Sequence, residues 1–191
     1  DAAQGMTDIV YAVGDALEDG FETGSNNANL LKQQLAGHTA SSPGDMPPDG
    51  EDQENKVRTS LRNQGWDEPY GSTDESIRKN MGVNGRTSDF VGRSSRGDWL
   101  VAESKGGNIE HGMSQLRNTY NSLTQNESSA AGNTQFRIYT NSSTYNGLMD
   151  GSGRIGGYHV DTQGYLGYFD DASQWHYDTI DGTKVQVLIS P

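Results

Sequence analysis

The sequence predicts an α/β fold in which helices flank a mixed sheet, and three observations support this. Residues 87–105 contain two apolar segments around a turn with glycine, which is typical of two antiparallel strands. Residues 113–123 then follow a helical period, and 135–140 alternate as a strand does. This strand–helix–strand order predicts a parallel neighbour reached through a right-handed crossover. Short segments after residue 155 predict further strands.

Composition limits the size of the fold and the classes of site it can carry. A chain of 191 residues suits one domain with an appendage. Only 31% of the residues are hydrophobic, 25 are glycine and the mean hydropathy is −0.82, so we expect many loops and a modest core. Without cysteine, disulfides and thiolate metal sites are excluded. No apolar run approaches the length of a membrane span.

The first 50 residues predict a helical segment and a linker. Apolar residues recur at helical spacing between residues 6 and 19, and a second helical piece is expected near 27–35. We therefore expect a helical segment over 1–40, either a packed hairpin of helices or a tail. Residues 41–50 contain three prolines and two glycines and predict a linker. Because the chain begins at Asp1, we expect a processed product or a piece of a longer protein.

Two helices are predicted before the strand pair. The first runs over 51–64 and ends before Gly65. The second covers 72–82, with a capping serine or threonine at its start, Glu75 in its first turn and Gly82 after its end. Both helices therefore lead into the hairpin.

The hairpin is predicted to place two carboxylates opposite each other. With a three-residue loop at 95–97, Asp89 faces Glu103, and Lys105 lies on the same face as Glu103 because side chains alternate. Directly opposed like charges destabilise a strand pair. A hard cation such as Mg²⁺, bound by both carboxylates, by waters and by the Ser104 carbonyl, would relieve this repulsion. The alternative is a solvated charge cluster on an ordinary amphipathic hairpin.

The pattern Ser88-Asp89 followed by Glu103-Ser104-Lys105 resembles the PD-(D/E)xK nuclease superfamily, with serine here where the family pattern has proline. The resemblance extends over about residues 51–140. It implies a restriction-endonuclease-like fold in a nuclease domain over 51–191, and metal-dependent hydrolysis of phosphodiester bonds. It also implies that Asp89 and Glu103 bind Mg²⁺, or Mn²⁺ or Zn²⁺, while Lys105 assists the attacking water.

The same resemblance implies further site residues on helices. Such nucleases often add a metal-binding glutamate from a helix before the hairpin, and Glu75 is favoured over Glu54 because it is nearer along the chain. For each, the alternative is an acid that complements the helix dipole. Gln115 matches a glutamine that some branches use, although Tyr120 follows it by five residues and not by four. Its alternative is a solvated helix residue.

The C-terminal part is rich in glycine and tyrosine and predicts a small antiparallel extension. Residues 156–160, 165–169 and 184–189 have the composition of short strands separated by turns. Their aromatic side chains could stack on bases or sugars, but packing within a small sheet is favoured.

Charge is unevenly distributed along the chain. The net charge of −12 is unusual for a protein that binds phosphates. However, residues 1–55 account for −10, whereas 56–117 carry ten of the fourteen Lys and Arg residues and a net charge of +2. The basic residues therefore lie in the third of the sequence that contains the expected site, although a solvated basic face is the simpler explanation.

A nuclease behind a Pro/Gly-rich junction resembles the C-terminal toxin modules of polymorphic or contact-dependent bacterial toxins. This resemblance implies a DNase toxin, with a tRNA-cleaving nuclease as the alternative. It further implies secretion or delivery into the cytoplasm of a target cell, and a cognate immunity protein as partner. The alternative from another class is a secreted module that binds carbohydrate or protein and has no metal-dependent activity.

Overall fold

The structure is a computed structural model, and it describes residues 50–151 and 156–191. The helical segment expected over 1–40 lies outside the described residues. The expected linker over 41–50 also lies outside them, except that Gly50 begins the first described helix.

The described residues form helices and strands in alternation. The helices are α1 (Gly50–Asn63), α2 (Asp74–Met81), α3 (Ile109–Asn126) and α4 (Ser142–Asp150), with a 3₁₀ helix at Ser128–Ala130. The strands are β1 (Trp66–Asp67), β2 (Phe90–Ser94), β3 (Trp99–Ser104), β4 (Thr134–Thr140), β5 (Tyr158–Val160), β6 (Leu166–Phe169), β7 (Trp175–Tyr177), β8 (Thr179–Ile180) and β9 (Thr183–Ile189). None of these helices has the length and apolar content needed to cross a bilayer.

Six of the strands form a mixed sheet in the order β1-β2-β3-β4-β9-β8. Strands β1, β2 and β3 pair antiparallel, whereas β3 with β4 and β4 with β9 pair parallel. The sheet confirms the predicted mixed α/β architecture, and it confirms the parallel neighbour reached through α3.

The β2–β3 hairpin has the predicted register. Arg93 lies opposite Trp99, Val91 lies opposite Val101, and the Ser94 amide donates to the Asp98 carbonyl at 2.8 Å. The loop closes at Gly97, whose φ of +90° is costly for any residue with a Cβ. Loop length and one glycine thus determine which residues of the two strands face each other.

Local sequence signals also determine the two helices before the hairpin. Helix α1 ends at Asn63, just before Gly65, as predicted. In α2 the Thr73 hydroxyl accepts from the Ser76 amide, and the Ser76 hydroxyl accepts from the Thr73 amide, which forms a reciprocal cap. These signals fix where α1 stops and where α2 starts.

The core lies between α3 and the central strands. Strand β3 is buried along its whole length, as expected for a strand in the middle of a sheet. Apolar residues of α3 pack with those of β3, β4 and β9, among them Met113, Leu116, Leu123, Val101, Phe136, Ile138, Val185 and Val187. The polar residues at the end of β3, Glu103 and Ser104, therefore lie directly beside the hydrophobic core.

The C-terminal prediction is confirmed in part. Strands β5, β6 and β7 form a separate antiparallel sheet of three strands. Residues 184–189 form a strand as predicted, but their placement in the antiparallel extension is wrong, because β9 joins the main sheet parallel to β4, where Val185, Val187 and Leu188 are buried. Helix α4 was not predicted, although Asn141 before it is a good cap and accepts from the Thr144 amide.

Candidate active site

Asp89, Glu103 and Lys105 come together at the carboxyl end of β3. Asp89 immediately precedes β2. Glu103 is the second-to-last residue of β3, and Lys105 directly follows that strand. The Lys105 ammonium forms an ion pair with Glu103 Oε1. The structure thus brings together the three residues on which the sequence interpretation depends.

Two reciprocal hydrogen bonds hold the carboxylates in place. The Ser104 amide donates to Asp89 Oδ2 at 2.7 Å, and the Asp89 amide donates to Glu103 Oε2 at 3.1 Å. Each carboxylate therefore uses one oxygen to accept a backbone N–H from the neighbouring strand. Glu103 Oε1 faces Lys105, and none of the described residues donates to Asp89 Oδ1. Both oxygens of Glu103 therefore have a donor, whereas Asp89 Oδ1 has none among the described residues.

Burial makes the negative charge of these acids costly. Glu103 is 0% exposed, and its pKa is raised to about 8 by desolvation first and by the charge of Asp89 second, while Lys105 acts in the opposite direction. Burial also raises the pKa of Asp89, against the Ser104 amide and Lys105. The pair therefore favours binding of an additional positive charge, either a proton or a cation.

Helix α1 contributes an acid and a base to the same site. The guanidinium of the buried Arg58 donates to the Asp89 carbonyl and forms an ion pair with Glu68 at 3.0 Å. Glu54 lies one helical turn earlier, on the same face of α1. Its pKa is raised by burial and then by the charges of Asp89 and Asp74. Glu54 therefore lies in the electrostatic field of the two strand carboxylates.

A further acid, Asp74, lies at the rim of the site. It is the first residue of α2, and the Thr87 hydroxyl donates to its backbone carbonyl at 3.4 Å. The residue is exposed, but partial burial of its carboxylate raises its pKa, against Arg58 and Lys105. Its charge in turn raises the pKa of Asp89. Sequence reasoning missed Asp74 because it focused on the next residue of the same helical turn.

Glu75 is not brought to this cluster. It is exposed on α2, and among the described residues it forms no hydrogen bond or ion pair with Asp89, Glu103 or Lys105. Of the two glutamates weighed from the sequence, Glu54 is the one whose pKa responds to Asp89. Arg58 was also missed, although its spacing of four residues from Glu54 places both on one helix face.

Gln115 lies behind the site and is buried, unlike a solvated helix residue. Its Nε2 donates to the Thr87 carbonyl at 2.8 Å, and the Thr119 hydroxyl, one turn later on α3, accepts from the Ser88 amide at 2.7 Å. These two bonds fix the segment that leads into Asp89. Gln115 is therefore a positioning residue in this structure.

Helix α3 approaches the site closely at Gly112. A Cβ at this position would lie 3.1 Å from Lys105 Cγ and 3.6 Å from Glu103 Cγ. Glycine lets the helix backbone pack directly on the stems of both site residues. The absence of a side chain here is thus a feature of the site, which sequence reasoning did not identify.

The two carboxylates of the site suit a hard divalent cation that takes few ligands from the protein. Within residues 50–151 and 156–191, no group of three or more acid or histidine side chains is arranged to hold a metal ion. Asp89 and Glu103 supply two carboxylates, and Mg²⁺ commonly binds through one or two carboxylates and completes its shell with water. The free Oδ1 of Asp89, the burial of both acids and their mutual repulsion fit such an ion.

The chain was compared with protein-family models, with curated proteins and with solved structures, and none of these comparisons found a match.

Proposed function

We propose that this chain is a metal-dependent nuclease of the PD-(D/E)xK type, with a restriction-endonuclease-like core, which hydrolyses phosphodiester bonds in DNA. The observation that supports this most directly is the pair of buried carboxylates on neighbouring strands. Each is held by a backbone amide of the other strand, and Lys105 pairs with Glu103. A solvated charge cluster would not be buried in this way.

Asp89 and Glu103 are the residues that would hold the metal, Mg²⁺ or Mn²⁺. When bound, such an ion lowers the pKa of a coordinated water and stabilises negative charge on a phosphoryl oxygen.

The remaining residues orient the reactants. Lys105 directs its ammonium toward the attacking water and the phosphoryl oxygen, while its pairing with Glu103 holds the side chain in place. In the reaction the water oxygen bonds to phosphorus and the bond from phosphorus to the leaving sugar oxygen breaks. The attacking water gives its proton to a neighbouring solvent water, and the leaving oxygen takes a proton from solvent. Glu54 takes the place of the expected helix glutamate and provides a further acceptor for the waters of the site.

Cleavage assays on plasmid DNA and on total tRNA test this function. Both substrates are incubated with the purified chain and Mg²⁺ or Mn²⁺, and in parallel with a chelator. Asp89→Asn and Lys105→Ala are each expected to lower the rate at least ~100-fold, because the first removes a charge that would hold the metal and the second removes the ammonium that acts on the water and the phosphate. Asp98→Asn is the matched control, since Asp98 lies in the hairpin turn at the other end of the strands.

The two substrates separate the alternatives. Cleavage of DNA but not of tRNA supports the DNase, and the reverse result supports the tRNA-cleaving enzyme. If cutting is unchanged by the chelator and equal in wild type, Asp89→Asn and Lys105→Ala, the nuclease proposal is wrong.

A further inference from the structure

The small sheet of β5, β6 and β7 has one face turned to the core and one turned outward. Val160 and Leu166 on the inner face belong to the hydrophobic core. Because side chains alternate along each strand, the next residues point the other way. In the paired register, Phe169 lies opposite Trp175, and Gly167 lies between His159 and Tyr177. We call the outward set His159, Phe169, Trp175 and Tyr177 the aromatic face.

The aromatic face is continuous and partly exposed, with His159 and Trp175 half-buried. Its rings contact one another edge to face, with centroid separations of 5.3 Å for His159–Phe169, 5.2 Å for Phe169–Trp175 and 5.7 Å for Trp175–Tyr177. Phe169 is nevertheless 54% exposed and Tyr177 is 37% exposed. Apolar rings that lie together on the side of a sheet away from the core are typical of a binding surface.

Gly167 allows this face to be preformed. A Cβ at this position would lie 2.4 Å from the Trp175 ring and 2.4 Å from the His176 carbonyl. The indole therefore lies over the Gly167 backbone, in space that a side chain at this position would need. A surface whose rings already contact one another loses little side-chain freedom when it binds.

The segment that carries the aromatic face is acidic in sequence, and one of its aspartates, Asp178, is paired with Arg117 of α3. Residues 156–183 contain five aspartates and neither lysine nor arginine. The Tyr177 hydroxyl donates to Asp161 Oδ2 at 3.0 Å, which brings one of these carboxylates to the edge of the face. The first cation after this segment, Lys184, lies over the Tyr177 ring at 3.5 Å from its centroid. Carboxylates and ring faces both attract cations, whereas a phosphate backbone would be repelled.

We propose that the aromatic face docks a protein partner through a surface with an apolar centre and a rim of arginine or lysine. Tyrosine and tryptophan are the residues that most often dominate the energy of such interfaces. Residues 1–49 carry eight acids and one lysine, and a second copy of the chain carries −12, so neither has the complementary charge. The inference is independent of the nuclease proposal, because the site acids lie on other strands.

Titration of the full chain with a peptide of alternating arginine and leucine tests this proposal. Binding is followed by Trp175 fluorescence, since Trp66 and Trp99 are buried, and by amide chemical shifts in ¹⁵N-labelled protein. We expect shifts concentrated in β5, β6 and β7, and Phe169→Ser should weaken binding at least about 10-fold. Tyr168→Ser is the matched control, because Tyr168 is 42% exposed on the same strand but points to the opposite face. It should change affinity less than about twofold.

Several results would overturn the proposal. These are equal binding of a matched peptide of glutamate and leucine, binding of an oligothymidine or oligouridine strand at the same amides, and shifts that lie outside the small sheet. Absence of binding by the arginine–leucine peptide would also overturn the proposal. The shift map is measured on the wild-type protein, so it decides the question even if Phe169→Ser does not fold.

Discussion

Burial of Glu103 couples the stability of the domain to pH. Its pKa is about 8 in the folded protein, compared with an ordinary value of 4.5, because desolvation and the charge of Asp89 disfavour its ionised form. The folded state therefore holds a proton that the unfolded chain releases between these values. Stability from this group is complete below about pH 4.5 and is lost as the pH rises through about 8. Burial also raises the pKa values of Asp89 and Glu54, which act in the same direction.

The free energy of unfolding measured in chelator should accordingly fall between pH 5 and pH 8. One unit of pKa shift corresponds to about 1.4 kcal/mol, so a loss of a few kcal/mol is expected over this range. Glu103→Gln cannot ionise, and we expect its stability to depend clearly less on pH. Urea unfolding at pH 5, 6.5 and 8 measures the difference, with Glu110→Gln on the exposed side of α3 as control. Equal pH dependence in Glu103→Gln and wild type would contradict this account.

Glu54 and Glu75 provide a second comparison at the scale of single residues. Glu54→Gln should lower the rate of DNA cleavage about 10-fold or more, since Glu54 shares the electrostatic field of Asp89 and Lys105. Glu75→Gln should leave the rate within about twofold, because Glu75 is exposed and has no contact with Asp89, Glu103 or Lys105 in the described structure. Rates with excess Mg²⁺ measure both effects, and a larger loss for Glu75→Gln would reverse the assignment.

At the scale of elements, the sequence predicted what short-range signals determine. The hairpin register depends on a three-residue loop and Gly97, and the start of α2 depends on the cap at Thr73 and Ser76, so both could be deduced locally. The choice between Glu54 and Glu75 could not be deduced from local sequence. Proximity along the chain favoured Glu75, whereas the packing of α1 against β3 brings Glu54 to the strand carboxylates. Nothing local indicated that β9 would pair with β4 as well as with β8, its neighbour in sequence.

Polar residues on the buried face of helix α3 position the segment that leads into Asp89. Thr119 is fully buried, and its hydroxyl accepts the Ser88 amide directly before Asp89. Gln115 and Gly112 lie one and two turns earlier on the same face. Side chains of α3 thus form hydrogen bonds with the backbone of the segment that leads into Asp89. Gly112 leaves room for the aliphatic parts of the Glu103 and Lys105 side chains.

Thr119→Val tests this positioning role. Valine has nearly the same shape but cannot accept the Ser88 N–H, so we expect a loss of about 1–3 kcal/mol in the free energy of unfolding. The rate of cleavage should fall as well, because Asp89 follows Ser88. Thr124→Val is the matched control, since the Thr124 hydroxyl bonds only to carbonyls within α3 and should matter by less than ~0.5 kcal/mol. Equal effects of the two substitutions would contradict a positioning role for Thr119.

At the scale of the whole molecule, the basic residues are concentrated in the part of the sequence that forms the site, where residues 56–117 carry ten of the fourteen Lys and Arg. Arg78 and Arg86 both lower the pKa of Asp74, so both lie near the rim of the site. Both are exposed, and neither forms an ion pair within the described residues. Arg96 is equally exposed but lies in the hairpin turn, at the far end of β2 and β3 from Asp89. Net charge alone, at −12, conceals this arrangement.

Salt dependence of DNA binding can reveal which cations contact phosphate. The logarithm of affinity falls linearly with the logarithm of salt concentration, with a slope of about 0.9 for each phosphate neutralised. In chelator, where no cleavage is expected, Arg86→Ala and Arg78→Ala should each weaken binding and reduce this slope by roughly 1, whereas Arg96→Ala should leave it unchanged. Fluorescence anisotropy with a labelled duplex over a range of salt concentrations gives the slopes. If Arg96→Ala reduces the slope as much as Arg86→Ala does, binding depends on the total charge of the protein and not on cations placed beside Asp89 and Glu103.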